Sequence, residues 1–164
     1  MSTMTALATA NSYDGATVKD LTYAYANTSN TTYGNYRPVD SSSWLKYSGF
    51  DFSNIPDGST INSVTYKVKL GRQDADITYS VSASVNNTEK ATATYNTSSG
   101  TIVVTLTVNA STTAAELKAA AANNYFYFSQ STGSEYFLRV YGFEIIVDYT
   151  LSAPAKSIFF GMNF

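Results

Sequence analysis

The chain has 164 residues, with 10 Lys+Arg against 12 Asp+Glu, a net charge of −2, and neither histidine nor cysteine. These zeros exclude a Ser-His-Asp triad, a cysteine nucleophile, a disulfide framework and imidazole or thiolate metal ligation. The near-neutral balance lacks the clustered Lys and Arg that give affinity for nucleic acid, so no nucleic-acid partner is expected.

A chain of this length is about one domain's worth and can bury a core without staples. Aromatic residues make up 15% and charged residues 13%. Few charges with many aromatics argue against disorder. Ser, Thr and Asn supply the polarity, which suits a weakly repulsive surface that packs against other copies. The opening Met1–Leu7 has no basic stretch followed by an apolar one, so it does not read as a signal peptide. No apolar run approaches the roughly 18 residues of a membrane helix. Synthesis in a cytoplasm and no membrane insertion are therefore the expectations. Asn-x-Ser/Thr triplets at Asn27, Asn86, Asn96 and Asn109 read as composition rather than as glycan acceptors.

Taken in chain order, the first region is Ser12–Ser43. It is polar, poor in alternation and rich in tyrosine, with Tyr23, Tyr25, Tyr33 and Tyr36. Such a segment predicts a functional loop or contact arm. Its tyrosines have three readings: stacking on sugar rings, burial against a partner, or core of this domain. Trp44 opens the next strand and reads as core. Leu45 and Tyr47 share one parity, and after Gly49 the phase passes to Phe50 and Phe52, as at a bulge. Pro56-Asp57-Gly58 is a turn, with Pro presetting φ and Gly free to take positive φ.

Strict alternation marks the next two strands. Val64, Tyr66, Val68 and Leu70 alternate with Thr65, Lys67 and Lys69; Ile77, Tyr79, Val81, Ala83 and Val85 alternate with Thr78, Ser80, Ser82 and Ser84. Each predicts a strand with one buried and one wet face. The polar stretch Gly71–Asp76 separates these two strands, and Asn86-Asn87 and Ser98-Ser99-Gly100 separate further strands. Ala91, Ala93 and Tyr95 form a weaker strand, and Ile102, Val104, Leu106 and Val108 a strong one. Thr113-Ala-Ala-Glu116 is a capping box opening an alanine-rich run to Ala122, which predicts one short crossover helix near 113–122. An aromatic strand Tyr125–Ser129 precedes Gly133, and the last strand changes phase at Gly142, from Leu138 and Val140 to Phe143, Ile145, Val147 and Tyr149.

After Pro154 the chain finishes with an aromatic octet, Ser157–Phe164. Exposed, such a patch would drive association. It reads either as a last strand of the same sandwich or as a tail that docks on a neighbour through Ile158, Phe159, Phe160, Met162 and Phe164. The expected division is residues 1–43 as a Tyr-rich arm with first strands, 44–151 as the sandwich core and 152–164 as the tail, one domain overall.

Catalytic chemistry is not visible. Glycoside hydrolysis needs two carboxylates at a fixed gap, and Glu89, Glu116, Glu135 and Glu144 suggest no pair. Asp74 and Asp76 could offer oxygen ligands to calcium, but Asp-x-Asp in a loop reads first as a plain turn. No catalytic residue, metal site or cofactor is expected.

The order of motifs carries a resemblance. "Leu-x-x-x-Gly-Phe-x-Phe" (45–52) leads to "Ile-Pro-Asp-Gly-Ser-Thr-Ile" (55–61) and "Val-Thr-Tyr-Lys-Val" (64–68), then "Thr-Ala-Ala-Glu-Leu" (113–117) and "Leu-Arg-Val-Tyr-Gly-Phe-Glu-Ile-Ile-Val-Asp-Tyr-Thr" (138–150). Over residues 44–150 this resembles the jelly-roll β-sandwich domains of tailed-bacteriophage structural proteins, of the tail, baseplate, fibre or capsid-decoration kind. The motifs are structural and transfer no catalytic residue.

The expectation is therefore an all-β chain, an antiparallel β-sandwich of jelly-roll type with one short helix. The resemblance implies a non-enzymatic virion component, made in a host cytoplasm, with copies of itself and other virion proteins as partners. The rival is a lectin-like module that recognises a host-surface glycan, because jelly rolls also serve as lectins.

Overall fold

The computed structural model describes residues 5–6, 10–14, 16–21, 33–38, 42–72, 78–87, 89–96, 101–132 and 138–152. The strands are β1 (Thr5–Ala6), β2 (Ala10–Asp14), β3 (Ala16–Lys19), β4 (Gly34–Pro38), β5 (Trp44–Ser48), β6 (Thr60–Arg72), β7 (Thr78–Val85), β8 (Glu89–Asn96), β9 (Ile102–Thr113), β10 (Tyr125–Thr132) and β11 (Leu138–Thr150). Among the described residues a single short helix, α1 (Ala114–Ala119), is present, and with a 3-10 turn (Ala121–Asn123) it links β9 to β10.

The strands form two antiparallel sheets. One runs β3-β4-β11-β6-β9, with β1 pairing β11 at Ile145 and Ile146; the other runs β2-β5-β10-β7-β8. From β4 onward, β4-β11-β6-β9 faces β5-β10-β7-β8, which is the strand order of a jelly roll, two Greek keys wrapped into a sandwich. The Ser12–Ser43 region thus contributes to both sheets, with most of β2 in one and all of β3 and β4 in the other.

The period-two pattern decides what faces inward. Tyr79, Val81, Ala83 and Val85 of β7 are buried, as are Val64, Tyr66, Val68 and Leu70 of β6 and Val104, Leu106 and Val108 of β9. Between the sheets the aromatic rings interlock. Phe143 lies 4.7 Å from Tyr47, 5.7 Å from Phe126 and 6.0 Å from Phe50, centroid to centroid. Each such ring contributes about 1.5–3 kcal/mol through burial alone. Tyr66 reaches across the core to donate to the Ser84 carbonyl at 2.8 Å, and burial pushes its phenol well above the ordinary range.

The two glycine phase changes have different origins. In β11 the register slips between Val140 and Gly142 against β6, so Tyr141 is the extra residue of a bulge. At Gly49, however, β5 has already ended at Ser48. There the glycine adopts φ +70° and turns the chain into a loop, from which Phe50 and Phe52 enter the core. The Pro56 turn closes with Ser59 N–H donating to the Pro56 carbonyl at 3.2 Å, and Gly58 takes φ +80°.

Helix α1 starts as its capping box dictates. Thr113 accepts from the Glu116 N–H at 3.2 Å, and the Glu116 carboxylate accepts from the Thr113 N–H at 2.8 Å. Ala114 and Leu117 are its buried residues.

Candidate functional site

Residues paired directly across an antiparallel ladder share a face, so the registers define the outer face of the five-stranded sheet. Tyr127 sits opposite Lys46 and Ser82, Ser129 opposite Trp44 and Ser80, and Tyr125 opposite Ser84. Across the next pair, Thr92 meets Ser82 and Thr94 meets Ser80. All belong to the parity opposite the buried Phe126, Phe128, Val81 and Ala83.

Trp44 is therefore not core. It is half-buried, stacked on Tyr127 with centroids 5.9 Å apart and an interplanar angle of 22°. The reason is register: in β5 the core positions are Leu45 and Tyr47, which places Trp44 on the other face. The indole thus covers one face of the Tyr127 ring, and Tyr127 also lines a trough on the β7–β8 side of β10. That trough has a volume of about 420 Å³ and is lined by Ser80, Ser82, Thr92, Thr94, Ser129 and Tyr127, with Val81 and Ala93 contributing at its floor. Among the described residues, none of the five Ser and Thr hydroxyls is engaged by another side chain. Burial, and then the neighbouring Tyr125, holds the Tyr127 phenol above its ordinary value, so it stays a neutral donor.

The next outward pair along the β10–β7 ladder beyond the trough is Tyr125 and Ser84. Tyr125 donates from its hydroxyl to Asn87 Oδ1 at 3.2 Å, and the Lys46 ammonium lies 4.5 Å from its ring centroid. Asn86 and Asn87 form the β7–β8 turn with φ +51° and +63°. Ser84, outward by register between Tyr125 and Lys90, is 0% exposed. The Tyr125 hydroxyl is thus pinned to the hairpin, with its ring on the same sheet face as the buried Ser84.

A second depression, of about 480 Å³, lies between Phe50, Phe52, Asp51, Lys118 and Ala121. Its charged groups are occupied. Asp51 accepts from the Ser53 N–H at 2.8 Å, and Lys118 is 2.6 Å from Asp57.

The residues singled out in the sequence are scattered. Tyr36 is 0% exposed, with its ring near Tyr79; it takes the core reading, because its place in β4 faces the opposing sheet. Tyr33 is half-buried and packs on the other sheet, 5.3 Å from Tyr141 and with the Arg139 guanidinium 4.5 Å from its ring. Tyr23, Tyr25, Asp74, Asp76, Glu135 and the terminal Ile158, Phe159, Phe160, Met162 and Phe164 lie outside the described residues. Glu116 caps α1 and Glu144 pairs with Lys67 at 3.3 Å. Tyr125 and Tyr127 were missed. Their signal was legible, since they alternate with Phe126 and Phe128, leaving a strand aromatic on both faces.

No family model and no curated protein matches the chain. Among solved structures it is similar to the CBM22-1 xylan-binding domain of Xyn10C from Paenibacillus barcinonensis, with a TM-score of 0.49, 8% identity and 87% of each chain covered.

Proposed function

We propose that this chain is a carbohydrate-binding module whose ligand lies on the outer face of the five-stranded sheet. The observation that carries the reading is Tyr127, its ring stacked on Trp44 and itself lining a trough of hydroxyls. An aromatic face offers an apolar surface to the C–H face of a sugar ring. The Ser and Thr hydroxyls donate and accept alike, as sugar hydroxyls do. The trough falls in the range of about 300–1,000 Å³ usual for small-ligand sites. Assembly through the terminal segments, expected from residues 158–164, draws on nothing in this face.

The test is retention of the isolated protein on immobilised glycans. Tyr127→Ala removes the stacking face, and a loss of about tenfold or more in affinity is expected, equivalent to about 1.4 kcal/mol. Trp44→Ala removes the brace and gives a smaller loss. Thermal unfolding of both variants should stay close to wild type, because neither ring is in the core. Undiminished retention by Tyr127→Ala would overturn the site.

A further inference from the structure

Resting on the carbohydrate reading, we infer that the trough receives the end of an uncharged glycan chain. The first half of this inference comes from the chemistry of the lining. Ser80, Ser82, Thr92, Thr94, Ser129 and the Tyr127 phenol supply its polar groups, and no carboxylate, ammonium or guanidinium lines it. A uronate or sialate carboxylate placed there would lose water without meeting a cation, which is costly. The nearest ammonium groups on this face, Lys46 and Lys90, stand at the Tyr125–Ser84 end and do not line the trough; Lys46 is held over the Tyr125 ring.

The second half comes from shape. The floor follows β7, with Tyr127 of β10 on one side and Thr92 and Thr94 of β8 on the other. A chain lying on that floor runs along the strand. From Ser82 the next outward residue is Ser84, about 7 Å further on at the usual rise of an antiparallel strand. There Ser84 is at 0% exposure, directly across the ladder from Tyr125, whose hydroxyl Asn87 anchors. A polymer threaded along β7 would run into the Tyr125 ring, whereas a terminal unit stops against it.

Binding stoichiometry tests both halves. The full chain is titrated with graded fractions of unbranched β-glucan, β-mannan and β-xylan, and with polygalacturonate, at low and high salt. The expected result is one protein bound per neutral chain at every length, with affinity per chain end changing by less than about twofold. Salt should leave it unchanged, since no charged contact is screened. Several proteins per chain, increasing with length, would overturn placement at the end. Retention of polygalacturonate alone, lost at high salt, would overturn the neutral lining. Either result leaves the carbohydrate reading standing, whereas no retention of any glycan, charged or neutral, defeats that reading itself. Two variants isolate the stop. Tyr125→Ala, and Asn87→Gly, which keeps the positive-φ turn while removing the anchor, should raise the number of proteins per long chain above one. If both remain at one per chain, Tyr125 is not the stop.

Discussion

Glu116 Oε2 accepts three hydrogen bonds, from Thr112 Oγ1 at 2.8 Å, the Thr113 N–H at 2.8 Å and Thr113 Oγ1 at 2.9 Å. The backbone bond from Thr113 is the main cause of a carboxyl held below its usual range, and the two hydroxyl bonds add to it. Its folded pKa being depressed, the stabilisation is complete above the unfolded value of about 4.3 and fades as pH falls through the folded one. Asp51, through Ser53, and Asp57, through Lys118, are lowered as well, so they share the acid limb. Glu116→Gln keeps the cap geometry without the proton linkage. Its unfolding temperature should therefore fall less steeply with acid below about pH 4.3 than that of wild type; an identical slope would remove Glu116 from the account. In the core, Phe143→Ala should cost about 3–5 kcal/mol, a large part of a typical total of about 5–15 kcal/mol. Urea unfolding should show this as a lower midpoint at unchanged slope.

At the scale of elements, α1 and the β7–β8 hairpin are joined by one polar chain. Asn86 Nδ2 donates to Thr112 Oγ1 at 2.7 Å, Thr112 donates onward to Glu116, and Asn124 Oδ1 accepts from the Asn86 N–H at 2.9 Å. Asn124 Nδ2 also donates to the Leu117 carbonyl at 2.9 Å, satisfying an orphan acceptor at the end of the helix. Thr113→Ala removes the cap and should cost about 1 kcal/mol, measurable by chemical denaturation. The capping box, the β6, β7 and β9 alternation and the Gly142 bulge were all legible, because each is written in neighbouring residues. The irregularities at Asn62 were not: Asn62 is an extra residue against Asp148 and Tyr149 of β11, and faces two residues, Ala110 and Ser111, of β9. The ladder partners that reveal them are distant in sequence. Trp44 was misassigned for a related reason. A large indole at a strand start looks like core until the register with Leu45 and Tyr47 is known, and the trough exists only once β7, β8 and β10 are adjacent.

Across the whole molecule, the sheets are made from pairings between distant parts of the chain. Gly34 pairs with Val140, and Thr5 with Ile146. Closing such loops is entropically costly before any contact rewards it. Refolding should therefore take roughly milliseconds to seconds, as in other sandwiches rich in non-local pairing, and a submillisecond stopped-flow phase carrying the full amplitude would contradict it. The chain has one tryptophan, and it is the indole stacked on Tyr127. Its fluorescence thus originates immediately beside the surface that a ligand would meet. Changes in that emission can report occupancy of the trough without any added label, from a position that no ligand need touch.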